Sequence, residues 1–219
     1  MTNQKTKDGK YTIRTATLAD VSQMQEVQRI CFPTLAPYEL LTKEHFANHI
    51  RVFPEGQLVI TDNEKVIASS STLRIHFPKL DHTFMEITDN LWITNSHIPD
   101  SEWLYQFDIG VLPAYRGLKL STELYNAQQE LVKQLGMKGQ VLVGMTIGYG
   151  KYKDRYSIQE YCEKLKNHEL TDPTVTPQRN AGFQWIQPIF NYLEDPTAGN
   201  CSILMAWPLE GVSLQDYVD

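Results

Sequence analysis

The sequence predicts a single α/β domain built on a mostly antiparallel mixed sheet, with one parallel strand pair and helices on both faces. Residues 57–61 and 66–75 are rich in β-branched side chains and flank the turn residues 62–65, which predicts an antiparallel hairpin. A strand, a glycine-containing turn, a long helix and a second strand follow within 103–146, the pattern of a βαβ unit with parallel strands. Hydrophobic residues make up 42% of the 219-residue chain, enough for a sizeable core.

The N-terminal part predicts a leader, a strand and two helices. Residues 1–10 are polar and are expected to form a flexible leader, and residues 11–15 are expected to form a short strand. Residues 17–20 have the spacing of a capping box, which predicts that the first helix begins at Thr17. Pro33 and Pro37 break this helix, and a second helix is expected over about 42–52.

The central part carries the predicted parallel pair, at about 103–112 and 139–146. Along the first of these strands, the odd-numbered residues from Trp103 to Val111 are apolar and alternate with Leu104, Gln106, Asp108 and Gly110, which predicts a strand with one strongly apolar face. Leucines three or four positions apart predict a helix that begins near Gly117 and ends before Gly136. Residues 78–102 have no clear period and are interpreted as an insertion with one short strand.

The C-terminal part predicts a helix over 157–170 and strands at 183–186 and 202–207. The chain contains no repeat, low-complexity tract or linker, so one domain over residues 1–219 accounts for the whole sequence.

Composition disfavours several function classes. The net charge of −6, without a cluster of lysine and arginine, argues against a nucleic-acid partner. Three scattered cysteines argue against a disulfide framework, and no metal site is expected because His45 and His49, one helical turn apart, lack a third ligand. No apolar run approaches the length of a membrane span, and no signal peptide is recognised, so a cytoplasmic protein without a membrane partner is expected.

The segment between Val111 and the long helix has the character of an anion site. The first turn of a helix has backbone N–H groups without intrahelical acceptors and the positive end of the helix dipole. Gly117 permits close approach of a ligand, and Arg116 and Lys119 add positive charge. An ordinary turn whose basic residues face the solvent fits the same spacing.

Residues 111–121, which read Val-x-Pro-x-Tyr-Arg-Gly-x-Lys-Leu-Ser, resemble the acyl-CoA-binding motif of the GNAT superfamily. The order of the predicted elements is also similar to that fold. Lys119 and Ser121 stand where the motif has small residues, usually glycine. The resemblance implies that acetyl-CoA is the cosubstrate and that the acetyl group passes directly to a primary amine of an unidentified small molecule or protein.

A narrower resemblance covers residues 148–154, 160–161, 169–173, 178–183 and 191–195. These segments are similar to GNAT domains fused ahead of nitrilase-like carbon–nitrogen hydrolases. A chain of 219 residues has no room for such a hydrolase, so a free-standing version of the domain is expected.

The resemblance also implies roles for individual residues. Asp108 is the first candidate for the general base, with Glu102 as its alternate. Tyr149 is the candidate proton donor to the leaving thiolate, with Tyr152 as its alternate. The predicted cofactor-binding residues are Ile109, Val111, Arg116, Gly117, Leu118, Lys119, Leu120 and Ser121.

One alternative remains at this stage. A non-catalytic module with the same fold, binding CoA or a protein partner, fits the altered glycine positions equally well. The sequence does not specify the acceptor substrate, and it leaves open whether the protein forms a homodimer.

Overall fold

Strand β5 (Trp103–Val111) lies inside an eight-stranded sheet in this computed structural model, which describes residues 3–218. The strand order is β1-β2-β3-β4-β5-β6-β8-β7, and every neighbouring pair is antiparallel except β5 and β6. The other strands are β1 (Asn3–Lys5), β2 (Thr12–Thr15), β3 (Gln57–Asp62), β4 (Lys65–Ile75), β6 (Gly139–Met145), β7 (Gln184–Phe190) and β8 (Cys201–Pro208). The predicted mixed sheet with one parallel pair is confirmed.

Helices cover both faces of this sheet. Met24 of α1 belongs to the same core cluster as Trp103 and Tyr105, whereas Leu124 of α4 packs with Leu58 on the opposite face. The helices are α1 (Val21–Cys31), α2 (Lys43–Val52), α3 (Phe84–Ile87), α4 (Leu120–Gln134), α5 (Ile158–Lys166), α6 (Val175–Asn180) and α7 (Gln215–Val218). Within residues 3–218, no helix combines the length and the apolar character that crossing a bilayer requires.

The N-terminal residues differ from their prediction. Instead of a flexible leader, the first described residues form the edge strand β1, which pairs with β2. The Asp20 N–H donates to the Thr17 carbonyl rather than to its hydroxyl, but the other half of the predicted capping box does form, because the Thr17 N–H donates to Asp20 Oδ2 at 2.8 Å. Helix α1 nevertheless begins only at Val21, since Arg14 also binds the Asp20 carboxylate with two hydrogen bonds and holds this turn against β2.

Strand β5 contains a β-bulge. Thr72 of β4 pairs with Gln106, but its neighbour Ser71 pairs with Asp108, so Phe107 is an extra residue on β5. A bulge of this kind bends the strand and changes the side to which the following side chains point.

The bulge ends the predicted alternation along β5. Trp103 and Tyr105 belong to the core cluster on the α1 face, whereas Ile109 and Val111 pack with the cluster on the α4 face. The prediction of one continuous apolar face was therefore wrong. Neither strand propensity nor periodicity encodes an inserted residue of this kind.

The parallel pair separates after a short distance. Strands β5 and β6 pair only from Trp103 to Gln106 against Gly139 to Leu142, while β6 remains paired with β8 as far as Met145. The backbone of residues 107–111 consequently has no partner on β6, and a gap opens between the two strands.

The segment 78–102 contains the short helix α3 and turns but no strand. Asp89, Asn90, Leu91 and Ile93 all have positive φ values, between 51° and 75°, which a strand cannot accommodate. The predicted strand in this segment was wrong.

Candidate active site

A cavity of about 680 Å³ lies where β5 and β6 separate. Its walls come from both faces of the sheet, namely α1 and the residues after it, the second half of β5, the start of α4, the end of β6, α6 and residues 192–195. The gap between the strands therefore connects the α1 side of the molecule with the α4 side.

The mouth on the α4 side is formed by the segment that the sequence singled out. Gly117 and Lys119 have φ values of 80° and 59°, so both are in the left-handed region. Helix α4 therefore begins at Leu120 rather than near Gly117, and Lys119 precedes it without a side-chain cap. Among the hydrogen bonds of residues 3–218, none uses the backbone N–H groups of residues 117–122 as donors. These unpaired donors form a favourable site for an anion.

Two basic side chains line the same mouth. Arg116 and Lys119 are both exposed, and the guanidinium of Arg116 donates to the carbonyl of Val111 at 3.4 Å. Seven of the eight predicted cofactor residues line the cavity, whereas Leu118 is outside the lining and is 49% exposed. Their role in binding a cofactor stays a prediction.

Asp108 lies on the cavity wall and is only 5% exposed. Burial raises the pKa of its carboxyl to about 7. Among the described residues, no hydrogen-bond donor reaches its Oδ2 atom. A carboxyl group that titrates near neutral pH and keeps an unpaired oxygen has the properties of a general base.

Glu102, the alternate base, lies away from the cavity. Its carboxylate forms an ion pair with Lys138, with 2.7 Å between Oε1 and Nζ, just before β5 begins. Its side chain is 39% exposed, and the Lys138 ammonium lowers its pKa. A solvated, paired carboxylate of this kind does not supply the site with a base.

The two tyrosines predicted as proton donors are also outside the cavity lining. The hydroxyl of Tyr149 donates to the carbonyl of Tyr156 at 3.3 Å, and its ring packs against Tyr161. Tyr152 packs between Tyr156 and Tyr161. The turn after β6 thus directs both rings toward α5, so the structure does not bring them to Asp108.

Sequence reasoning missed Tyr125, a buried residue of α4 that lines the cavity one turn after Ser121. Burial raises the pKa of its hydroxyl well above the usual value, although the neighbouring amides of Gln178 and Gln106 oppose the shift. The hydroxyl is therefore neutral at all ordinary pH values. Nothing in the sequence distinguishes this tyrosine from the other core positions of an amphipathic helix.

The fold is similar to several solved structures. The loading GNATL domain of CurA from Lyngbya majuscula superposes with a TM-score of 0.76 at 19% identity, over 90% of this chain and 97% of that one. The GNAT-like decarboxylase GphF, solved with isobutyryl-CoA, gives a TM-score of 0.72 at 17% identity, over 90% and 98% of the two chains. YncA of Salmonella typhimurium, a putative acetyltransferase solved with acetyl-CoA, gives 0.56 at 14% identity, over 93% and 96%.

A sequence relative decides the family. The uncharacterized N-acetyltransferase YkwB of Bacillus subtilis (strain 168) is 35% identical over 199 residues, which cover 90% of this chain and 88% of that protein. The chain belongs to the GNAT superfamily. The match to this N-acetyltransferase supports an acyltransferase and disfavours the non-catalytic alternative.

A second relative of this GNAT domain is larger. The probable hydrolase YhcX of Bacillus subtilis (strain 168) is 34% identical over 201 residues, and the match spans 90% of this chain but only 38% of YhcX. No protein-family model matches the chain.

Proposed function

We propose that this GNAT protein transfers the acetyl group of acetyl-CoA to a primary amine. The observation that carries the proposal is the row of unpaired N–H groups at residues 117–122, which opens onto a cavity between two separating strands. Unpaired donors at a helix start suit a diphosphate, and the unpaired edge of β5 at residues 107–111 suits a pantetheine arm. Bound acetyl-CoA in YncA and isobutyryl-CoA in GphF support this choice of ligand.

Each end of the ligand has a counterpart in the chain. Residues 117–122 would hold the diphosphate with their N–H groups, and Arg116 and Lys119 would balance its charge. Ile109 and Val111 would offer backbone groups to the pantetheine arm, because this part of β5 lacks a partner on β6. Holding the thioester beside the amine supplies the proximity on which direct acyl transfer depends.

Asp108 is the proposed general base. The incoming amine is an ammonium ion at neutral pH and must lose a proton before its nitrogen can attack the thioester carbonyl. The pKa of about 7 lets the Asp108 carboxylate accept that proton and release it again near neutral pH. Tyr125, which stays protonated, is the proposed hydrogen-bond donor to the oxygen or sulfur that becomes negative.

The test measures coenzyme A binding by calorimetry and thiol release from acetyl-CoA over a panel of amines. The Arg116→Glu variant is expected to lose binding and turnover because it places a negative charge against the diphosphate. Lys151→Glu makes the same charge change at an exposed residue outside the cavity lining and should keep both activities. Absence of heat with coenzyme A in the unmodified protein would falsify the proposal.

One observation favours a second candidate, decarboxylation of an acyl-CoA. The TM-score to the decarboxylase GphF is 0.72, compared with 0.56 to YncA. Incubation with malonyl-CoA distinguishes the two reactions, since a decarboxylase releases carbon dioxide and leaves acetyl-CoA without any amine. Amine-dependent thiol release without carbon dioxide supports acetyl transfer.

A further inference from the structure

The charges that line the cavity are divided between its two sides. Both basic lining residues, Arg116 and Lys119, lie at the mouth beside α4. The other side is formed by α1, Phe32, residues 34–35, Phe84, Phe107, Asp108 and residues 192–195. Within the described chain it contributes the carboxyl groups of Asp108 and Asp195 but no lysine, arginine or histidine. The two sides are therefore suited to ligands of opposite charge.

The two carboxyl groups among the described lining residues of the α1 side differ in their hydrogen bonding. Asp195 accepts hydrogen bonds from the N–H groups of Thr197 and Ala198 and from the hydroxyls of Thr197 and Thr34, so its two oxygens hold the local turn together. Asp108 keeps an oxygen without a donor. Among the described lining residues, the α1 side thus offers the Asp108 carboxyl to one positive group and offers no cation to a substrate carboxylate.

The remaining wall on this side is mainly apolar. Its aromatic and aliphatic members surround the position of Asp108 and leave few polar groups to solvate a hydrophilic substrate. They are Phe32, Leu35, Phe84, Phe107, Tyr192 and Leu193. An acceptor that fills this space replaces water with apolar contact over most of its surface.

Resting on the proposed acetyl transfer, we infer that the acceptor is a primary amine with an aromatic or branched aliphatic body and no carboxylate. Its ammonium gives one proton to Asp108, and the free nitrogen bonds to the thioester carbonyl carbon. The carbon–sulfur bond breaks, and the second nitrogen proton ends on the sulfur of coenzyme A. The products are an amide, coenzyme A thiol and one released proton.

The experiment compares three acceptors in the acetyl-CoA thiol-release assay with the unmodified protein. 2-Phenylethylamine is the fitting acceptor, phenylalanine adds only a carboxylate, and ethanolamine removes the apolar body. We expect kcat/KM for 2-phenylethylamine to exceed each of the other two by about tenfold or more, because an unpaired buried carboxylate and an unfilled apolar wall both weaken transition-state binding.

A variant tests the charge argument directly. Gln28 lines this side, is 3% exposed and has an unpartnered side-chain oxygen. Gln28→Arg places a cation there and should narrow the preference for 2-phenylethylamine over phenylalanine. Gln28→Met, which is uncharged and of similar size, should keep that preference, and calorimetry with coenzyme A reports whether each variant retains a folded site.

The outcomes separate this inference from the proposed function. Coenzyme A binding together with equal or better turnover of phenylalanine or ethanolamine overturns the inference and leaves acetyl transfer standing. Coenzyme A binding without turnover of any amine overturns the inference as well. If the unmodified protein neither binds coenzyme A nor releases thiol from acetyl-CoA, both the proposed function and the inference are overturned.

Discussion

The imidazole of His49 packs edge-on against the ring of Phe107, with 5.2 Å between the ring centroids. Phe107 is the extra residue of β5, so helix α2 contacts the bulge next to Asp108. His49 is fully buried and its Nε2 donates to the carbonyl of Leu91 at 2.6 Å. Burial lowers its pKa to about 4.

Acidification should therefore destabilise the protein through His49. In the unfolded chain this imidazole takes up a proton near pH 6.5, but in the folded chain it does so only near pH 4. The neutral His49 imidazole makes its full contribution to the free energy of unfolding above pH 6.5. This contribution falls by about 3 kcal/mol as the pH decreases toward 4. Urea denaturation at pH 7.5, 5.5 and 4.5 measures the loss.

The variant His49→Gln isolates this residue from the other histidines, since an amide can still donate to Leu91 but does not titrate. Its free energy of unfolding should fall less between pH 7.5 and 4.5 than that of the unmodified protein. Identical falls in the two proteins contradict the assignment to His49.

Removal of the Asp108 carboxylate should affect turnover far more than cofactor binding. For Asp108→Asn we expect kcat to fall by about 10²–10⁴-fold, the usual contribution of a general base, with little change in the Kd of coenzyme A. The rise of kcat/KM through about pH 7, where Asp108 loses its proton, should disappear. Ser71→Ala, at the paired position on β4, is the packing control. An unchanged pH profile in Asp108→Asn excludes this carboxyl as the base.

The left-handed backbone conformation of Lys119 predicts that a glycine at this position stabilises the protein. With φ at 59° and ψ at 23°, this side chain costs about 1 kcal/mol that glycine avoids. Lys119→Gly should raise Tm by about 2–4 °C. Lys133→Gly, in the last turn of α4, should lower Tm because glycine is unfavourable in a helix. Calorimetric melting of both variants without ligand checks the opposite signs.

Close packing at the first residue of β6 predicts a destabilising substitution. A Cβ atom at Gly139 would lie 2.5 Å from Trp103 Cζ3 and 2.5 Å from the backbone oxygen of Trp207. Gly139→Ala should therefore cost about 1–3 kcal/mol. Gly150→Ala, where the nearest neighbour of the new Cβ is the Thr197 backbone oxygen at 3.3 Å, is the control and should cost less than Gly139→Ala because a smaller shift relieves the contact. Equal urea unfolding midpoints for the Gly139→Ala and Gly150→Ala variants would contradict the packing argument.

The sequence allowed prediction of the features that depend on local composition. Strand β5 and the β3–β4 hairpin have clear period-two or β-branched patterns. These strands are predicted correctly because their patterns depend only on residues close together in the sequence.

Features that depend on distant residues were not predictable. The extra residue at Phe107 exists only relative to β4, and the burial that raises the pKa of Asp108 comes from elements far apart in the chain. The direction of Tyr149 depends on its contact with Tyr161 of α5. Sequence patterns carry propensity and spacing but not which element packs against a given side chain.

Within the sheet, four residue pairs join strands β1–β5 to strands β6–β8, since Trp103 to Gln106 alone pair with β6. A ligand bound in the gap after these four pairs contacts both groups of strands. It therefore links the two parts of the sheet where strand pairing is absent. The liganded protein should consequently resist proteolysis and heat more than the free one, by about 2.7 kcal/mol at a ligand concentration one hundred times its Kd.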